Sequence, residues 1–116
     1  MPATARIGVF MLDCADAEAL APFWAELLGY EIGSRVTQFI FLRDPERRGL
    51  AMGLQQVPEP KERKNRAHVD LIVDDLTSAH DWVIEHGGRK LAQHAIGDFT
   101  WYVMADPEGN EFCMHE

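Results

Sequence analysis

Phe41-Leu42-Arg43-Asp44-Pro45-Glu46 returns 62 residues later as Val103-Met104-Ala105-Asp106-Pro107-Glu108. In each copy a mostly apolar run stops at an aspartate followed by proline. Proline fixes φ and the aspartate side chain can cap the bend, so both stretches read as a strand running into a tight turn. Upstream of each turn the same features recur in the same order. Asp16 to Leu28 before Gly29, and Leu76 to His86 before Gly87, read as helices ended by glycine. Trp24 and Trp82 each stand five residues before those glycines. Further back, Ile7 to Leu12 with Asp13, and Val69 to Val73 with Asp74, are apolar runs that end in aspartate. Offsets of 61, 58 and 62 residues describe one internal duplication with small insertions.

Each half therefore reads as strand, helix, then three strands. In the first, Arg6 to Asp13 is a strand, and Asp16 is the N-cap of a helix striped by Leu20, Phe23, Trp24, Leu27 and Leu28. Pro22 falls inside that helix and predicts a kink or a late start. Tyr30 to Gly33, Thr37 to Arg43 and Leu50 to Val57 follow as strands. In the second, Ala67 to Asp74 is a strand, Asp75 or Thr77 opens the helix, and Arg89 to Gln93, Phe99 to Met104 and Glu111 to His115 complete the set. Trp24 and Trp82, on helix stripes, are expected in the core. The fold class is α+β: tandem β-α-β-β-β modules forming a curled, mostly antiparallel half-barrel sheet with an internal cavity, the modules related by a pseudo-twofold. Module one covers about 5–57, a polar linker 58–66, and module two about 67–116 of a single domain.

Composition bounds the function. A chain of 116 residues with 47% apolar and 26% charged residues has material for one ordinary core. Eleven basic against 19 acidic residues give a net charge of −8, which repels phosphate and argues against nucleic acid as a partner. The basic run Lys61 to Arg66 reads as a solvated linker. No apolar run approaches the length of a membrane span, so no membrane partner is expected. Cys14 and Cys113 are too few for a disulfide scaffold. The N-terminus lacks a long apolar stretch with a cleavage site, and a cytoplasmic location is expected.

Three stretches carry a family resemblance: LDCADAEALAPFWAELLGYEI (Leu12 to Ile32), VPEPKERKNRAHVDLIVDDL (Val57 to Leu76) and ADPEGNEFCMHE (Ala105 to Glu116). With the tandem repeat, they resemble the vicinal oxygen chelate superfamily over nearly the whole chain, in wording like the small glyoxalase-like domain proteins. That superfamily includes glyoxalase I, extradiol dioxygenases, fosfomycin-resistance enzymes and bleomycin-binding proteins. The resemblance implies a homodimer, a pocket within curled sheets, and, in metal-dependent members, four ligands, two per module. Carried over one at a time, His68 matches the first-strand histidine of module two, while its module-one counterpart is Ile7, which cannot ligate. Cys113 stands where a glutamate is usual, and the fourth position falls at Gly53 or Gln55.

This ligand count is short for a catalytic metal, which generally needs about three protein ligands. No metal cofactor is therefore expected; the alternative is a divergent divalent-metal site from His68, Asp70, Cys113 and His115, since alternation puts the first two on one face of their strand and the last two on one face of theirs. No nucleophile elbow, phosphate loop or C-x-x-C pair is present. The expectation is a protein that binds an apolar or aromatic small molecule without glyoxalase I activity, through His68, Asp70, Gln55, Trp101 and Met11, with Ile7, Val9, Ile72, Gly53 and Phe39 or Phe41 also facing the cavity. The alternative is a metal-dependent lyase, isomerase or dioxygenase with a divergent ligand set around His68.

Overall fold

The computed structural model describes residues 7–116. Ten elements follow one another: β1 (Val9–Cys14), α1 (Ala17–Leu28), β2 (Glu31–Val36), β3 (Phe39–Arg43), β4 (Ala51–Gln56), β5 (Asp70–Ile72), α2 (Leu76–Glu85), β6 (Arg89–Ile96), β7 (Phe99–Ala105) and β8 (Glu111–His115). They form two compact units, the first ending at Pro60 and the second beginning at Lys61. Each unit is β-α-β-β-β with one four-stranded sheet, ordered β1-β4-β3-β2 and β5-β8-β7-β6. First and last strands of a unit pair in parallel, and the other two pairings are antiparallel, so both sheets are mixed and open. The α+β repeat foreseen from the Asp-Pro turns is the architecture.

Period-two alternation decides what each sheet buries. In the first unit Leu12, Cys14, Ile40, Leu42, Met52 and Leu54 turn inward, as do Leu20, Phe23 and Trp24 on α1. In the second unit Met104, Phe112 and Met114 are fully buried, with Leu76 and Val83 of α2. Trp24 is core as expected. Trp82 is not: it is half-buried and stacks on His86 one turn later, ring centroids 3.9 Å apart, while Val83 takes the inward position.

Both helices start in the same way. Asp16 and Asp75 are N-caps whose carboxylates accept from the amides of Ala19 and Ser78. A second orphan amide of each helix is met from the last strand's end: Ala17 donates to Gln56 Oε1 and Leu76 to Glu116 Oε2. These four acceptors satisfy donors that have no partner inside a helix. The late start expected from Pro22 does not occur, for α1 runs from Ala17 with Pro22 exposed in its second turn. Gly29, at φ 68°, closes α1 in the left-handed conformation that glycine adopts without a Cβ penalty.

Strand ends depart from the sequence reading. The expected first strand begins at Arg6, which lies outside the described residues, and β1 starts only at Val9. β5 is three residues, although Cys113 N–H to Val69 C=O and Val73 N–H to His115 C=O extend its pairing with β8. The basic run is more than a solvated tether, because Lys61 and Lys64 both pair with Glu111 on β8.

The repeated Asp-Pro turns are organised from inside. Asp106 is buried and accepts from the amides of Glu108 and Asn110 and from Asn110 Nδ2. Asp44 accepts from the amides of Glu46 and Arg48 and from Arg48 Nε. The Glu46 amide, against the opposing effect of burial and with help from Arg48, holds the Asp44 carboxyl below its ordinary 3.8. A carboxylate with a depressed folded pKa adds stability above its unfolded value and loses it as pH falls through the folded one. Urea melts of the wild type and Asp44→Asn over a pH series should therefore show the wild type losing more stability as pH falls below 3.8. Equal slopes in the two proteins would remove Asp44 from the account of acid sensitivity.

Candidate functional site

Alternation that buries Met104, Phe112 and Met114 turns their neighbours to the opposite face. The parallel register sets Asp70 against Cys113 and Ile72 against His115. The antiparallel registers set Val103 against Cys113 and His94 against Trp101. The two-residue turn Gly97-Asp98 joins Ile96 to Phe99 and fixes that last pairing. On this face of the second unit lies a cleft of about 250 Å³ lined by Lys64, His68, His94, Trp101, Val103 and Cys113, with Glu111 and Phe112. Trp101 is half-buried, and its ring lies 5.3 Å from that of His94 at 34°.

Three of the residues singled out from sequence cluster here. One donor atom each of His68, Asp70 and Cys113 lies within 4.8 Å of the others. His68 Nε2 is 3.2 Å from Asp70 Oδ1, and both side chains are about half exposed. Cys113 is buried. Burial foremost, then the Asp70 charge and a thiol-to-carboxylate hydrogen bond, push the Cys113 thiol up, against the pull of Lys64. Imidazole and thiol thus converge on one carboxylate, an arrangement that keeps the sulfur protonated instead of activating it as a nucleophile.

At the rim, Glu111 accepts from Lys64 Nζ and from the Asn65 amide at 3.2 Å, and forms an ion pair with Lys61 Nζ at 3.5 Å. Burial alone would raise the Glu111 carboxyl, but these partners outweigh it and lower its pKa.

The other expected site residues lie elsewhere. His115 shares the face of Cys113, yet it is outside the three-residue cluster, with its ring against Phe99 at 5.0 Å. Ile72 is 79% exposed and lines no part of this cleft. Met11 and Gln55 belong to the first unit, where β1 and β4 pair Met11 with Gly53 and Asp13 with Gln55. Phe39 and Phe41 stack at 6.0 Å on β3 of that sheet.

The caps align the two units and correct the ligand bookkeeping. Asp16 matches Asp75 and Gln56 matches Glu116, so with the strand registers Val9, and not Ile7, is the counterpart of His68. Ile7 precedes the strand and is 73% exposed. Of Gly53 and Gln55, the same alignment selects Gly53 as the counterpart of Cys113, and Met11 as that of Asp70. A Cβ at Gly53 would collide with Met11 Sδ and crowd Phe41, so the thioether occupies in the first unit the place that thiol and carboxylate share in the second.

His94, Lys64 and Glu111 escaped the sequence reading. The glycine turn three residues beyond His94 is the available signal, since a two-residue hairpin sets His94 opposite Trp101. Nothing local to Lys64 or Glu111 announces their pairing across 47 residues.

The comparisons agree with this architecture. Solved structures with the same fold include a glyoxalase-related enzyme from Fulvimarina pelagi, with 20% identity, 97% of this chain and 88% of that one covered, and a TM-score of 0.74. A glyoxalase/bleomycin resistance protein/dioxygenase family enzyme from Burkholderia phytofirmans has 18% identity, coverage of 95% and 97%, and a TM-score of 0.76. A mutant of the fosfomycin resistance protein FosX from Listeria monocytogenes, complexed with Mn(II) and dihydroxypropylphosphonic acid, has 11% identity, coverage of 97% and 90%, and a TM-score of 0.79. These likenesses are of fold. No curated protein matches the chain. The family model for the glyoxalase-like domain matches residues 9–115, nearly the whole length, and the chain belongs to that family.

Proposed function

We propose that this protein binds a small apolar or aromatic molecule in the cleft of its second unit and does not carry out glyoxalase I chemistry. The observation that carries this reading is the composition of the cleft. Trp101, His94, Val103 and Phe112 supply flat and apolar walls, His68 and Cys113 supply polar anchors, and the paired Lys64 and Glu111 stand at the rim. Mostly apolar walls with sparse polar groups are the usual make-up of a ligand site. The argument against glyoxalase I is residue chemistry: two of the four positions that the family resemblance assigns to ligands hold Val9 and Gly53, which have no donor side chain.

A second reading has its own observation. His68, Asp70 and Cys113 form a three-donor set of imidazole, carboxylate and thiol. Those donors suit a zinc-type ion, whose ligand atoms at about 2.0–2.3 Å from the metal stand some 3.3–3.8 Å apart. The His68–Asp70 spacing of 3.2 Å lies just below that range, and all three donor atoms lie within 4.8 Å of one another. A bound ion would supply Lewis-acid polarisation of a substrate oxygen. Without one, His68 and Cys113 orient as hydrogen-bonding groups on Asp70.

Titration with naphthol, read by tryptophan fluorescence, separates the two. A saturable change lost in Trp101→Phe, and weakened roughly 5- to 150-fold in His68→Ala, supports the first reading, as expected for leaving a buried partner unpaired at about 1–3 kcal/mol. The half-exposed His68 should be dispensable for folding, so His68→Ala should melt close to the wild type. Near-stoichiometric metal in protein purified without a chelating tag, with an activity lost on chelation, overturns it in favour of the second.

Cys113 gives an independent reading of the cluster. Alkylation by iodoacetamide at mildly alkaline pH, followed at Cys113 by mass spectrometry, should be slow in the wild type. It should accelerate several-fold in Asp70→Asn, because removing that charge and acceptor lowers the thiol pKa. An unchanged rate would mean that burial alone protects the sulfur.

We also propose that two copies pair, in the cytoplasm. Ile72, Ile96 and Phe99 lie on one face of the second sheet and remain 79%, 73% and 48% exposed. A shared apolar face is what a self-complementary interface covers. Light scattering at tens of micromolar should give twice the mass of 13.1 kDa, and a single subunit mass would refute pairing.

A further inference from the structure

We infer that the molecule held in this cleft is a planar aromatic acid of one or two fused rings, its carboxylate met by Lys64 and His94. The inference rests on the binding reading above and adds the ligand's chemical class.

It comes from counting donors against acceptors. Both carboxylates near the cleft are already engaged. Glu111 takes Lys64, Lys61 and the Asn65 amide, and Asp70 takes His68 and Cys113. A ligand offering donors would meet carboxylates that already hold two partners at Asp70 and three at Glu111. The donor side is in surplus. An ammonium carries three N–H groups, and Lys64 spends one on Glu111. The imidazole of His94 makes no hydrogen bond among the described residues. Two lysines also face the single Glu111 carboxylate, so that group of three carries one uncompensated positive charge. Asp70 does not itself line the cleft, and its carboxylate is engaged by His68 at 3.2 Å.

The rest of the ligand follows from shape. A volume of about 250 Å³ is below the roughly 300–1,000 Å³ of pockets for drug-sized molecules, which limits the guest to a small ring system. The indole of Trp101 beside the His94 ring offers flat faces for it. The chain's net charge of −8 repels anions in general, so selection of an acid must be local to this lysine and histidine.

The test compares naphthoate with its neutral isostere naphthamide by calorimetry and Trp101 fluorescence in low salt. A charge-assisted contact should make naphthoate bind at least about five-fold more tightly in the wild type. In Lys64→Gln that preference should fall to within about two-fold. In Lys90→Gln, whose ammonium lies over the Tyr102 ring and outside the cleft, it should persist. Equal or tighter binding of naphthamide, or a preference that survives Lys64→Gln, overturns the aromatic-acid inference while the cleft remains a binding site. If neither probe binds at millimolar concentration, both the inference and the binding reading fall.

Discussion

The parallel pairing of first and last strands within each unit is the constraint on which everything else rests. With β8 held by β7, a slip of one residue between β5 and β8 would turn Asp70 and Ile72 into the core and bring Leu71 out to the cleft face. The structure holds that register from outside the strands. Glu116, one residue beyond β8, accepts from the first amide of α2, and Asp75, three residues beyond β5, caps the same helix. Gln56 and Asp16 do the same for the first unit. Helix start, strand register and the face presented by Asp70 and Cys113 are thus one coupled decision.

That coupling explains what could be read in advance. The Asp-Pro turns, the helices and the alternation that sets His68 with Asp70, and Cys113 with His115, are local patterns, and local physics decides them. Alignment of the two halves is not local. α1 has 12 residues and α2 has 10, and the stretch from Asp44 to β4 is longer than that from Asp106 to β8, so offsets read from helix ends and turns mislead at the strands. The strand-ending Asp13 and Asp74 mislead likewise, since counting back from them sets Ile7 against His68, whereas the caps make Val9 the counterpart. Trp82 failed as a core residue because a tryptophan at the edge of a helix stripe can cover itself with a histidine one turn away. His94, Lys64 and Glu111 were invisible because their relation to the cleft depends on hairpin register and on a charge cluster formed across the chain.

Two copies of one frame have arrived at different chemistry. In the second unit the paired positions hold a carboxylate and a thiol, and a histidine joins them. In the first they hold a thioether and a glycine, next to stacked phenylalanines. The backbone is nearly indifferent to this exchange, since both sets point away from the buried face that stabilises the sheet. Fold and site are therefore under separate control: the inward residues specify the architecture and the outward ones can change the chemistry, which is why membership of the family leaves the reaction open.

The contact of Met11 with Gly53 has an evolutionary consequence. Because a side chain at 53 and the thioether at 11 compete for the same space, substitutions at the two positions are epistatic. A mutational path that restored polar groups to the first unit would have a preferred order, shortening Met11 before any Cβ is added at 53. Taken in the reverse order, the intermediate must displace the methionine and bears the cost of overpacking. The second unit, with no such interlock at Asp70 and Cys113, is the half free to explore new ligands one substitution at a time.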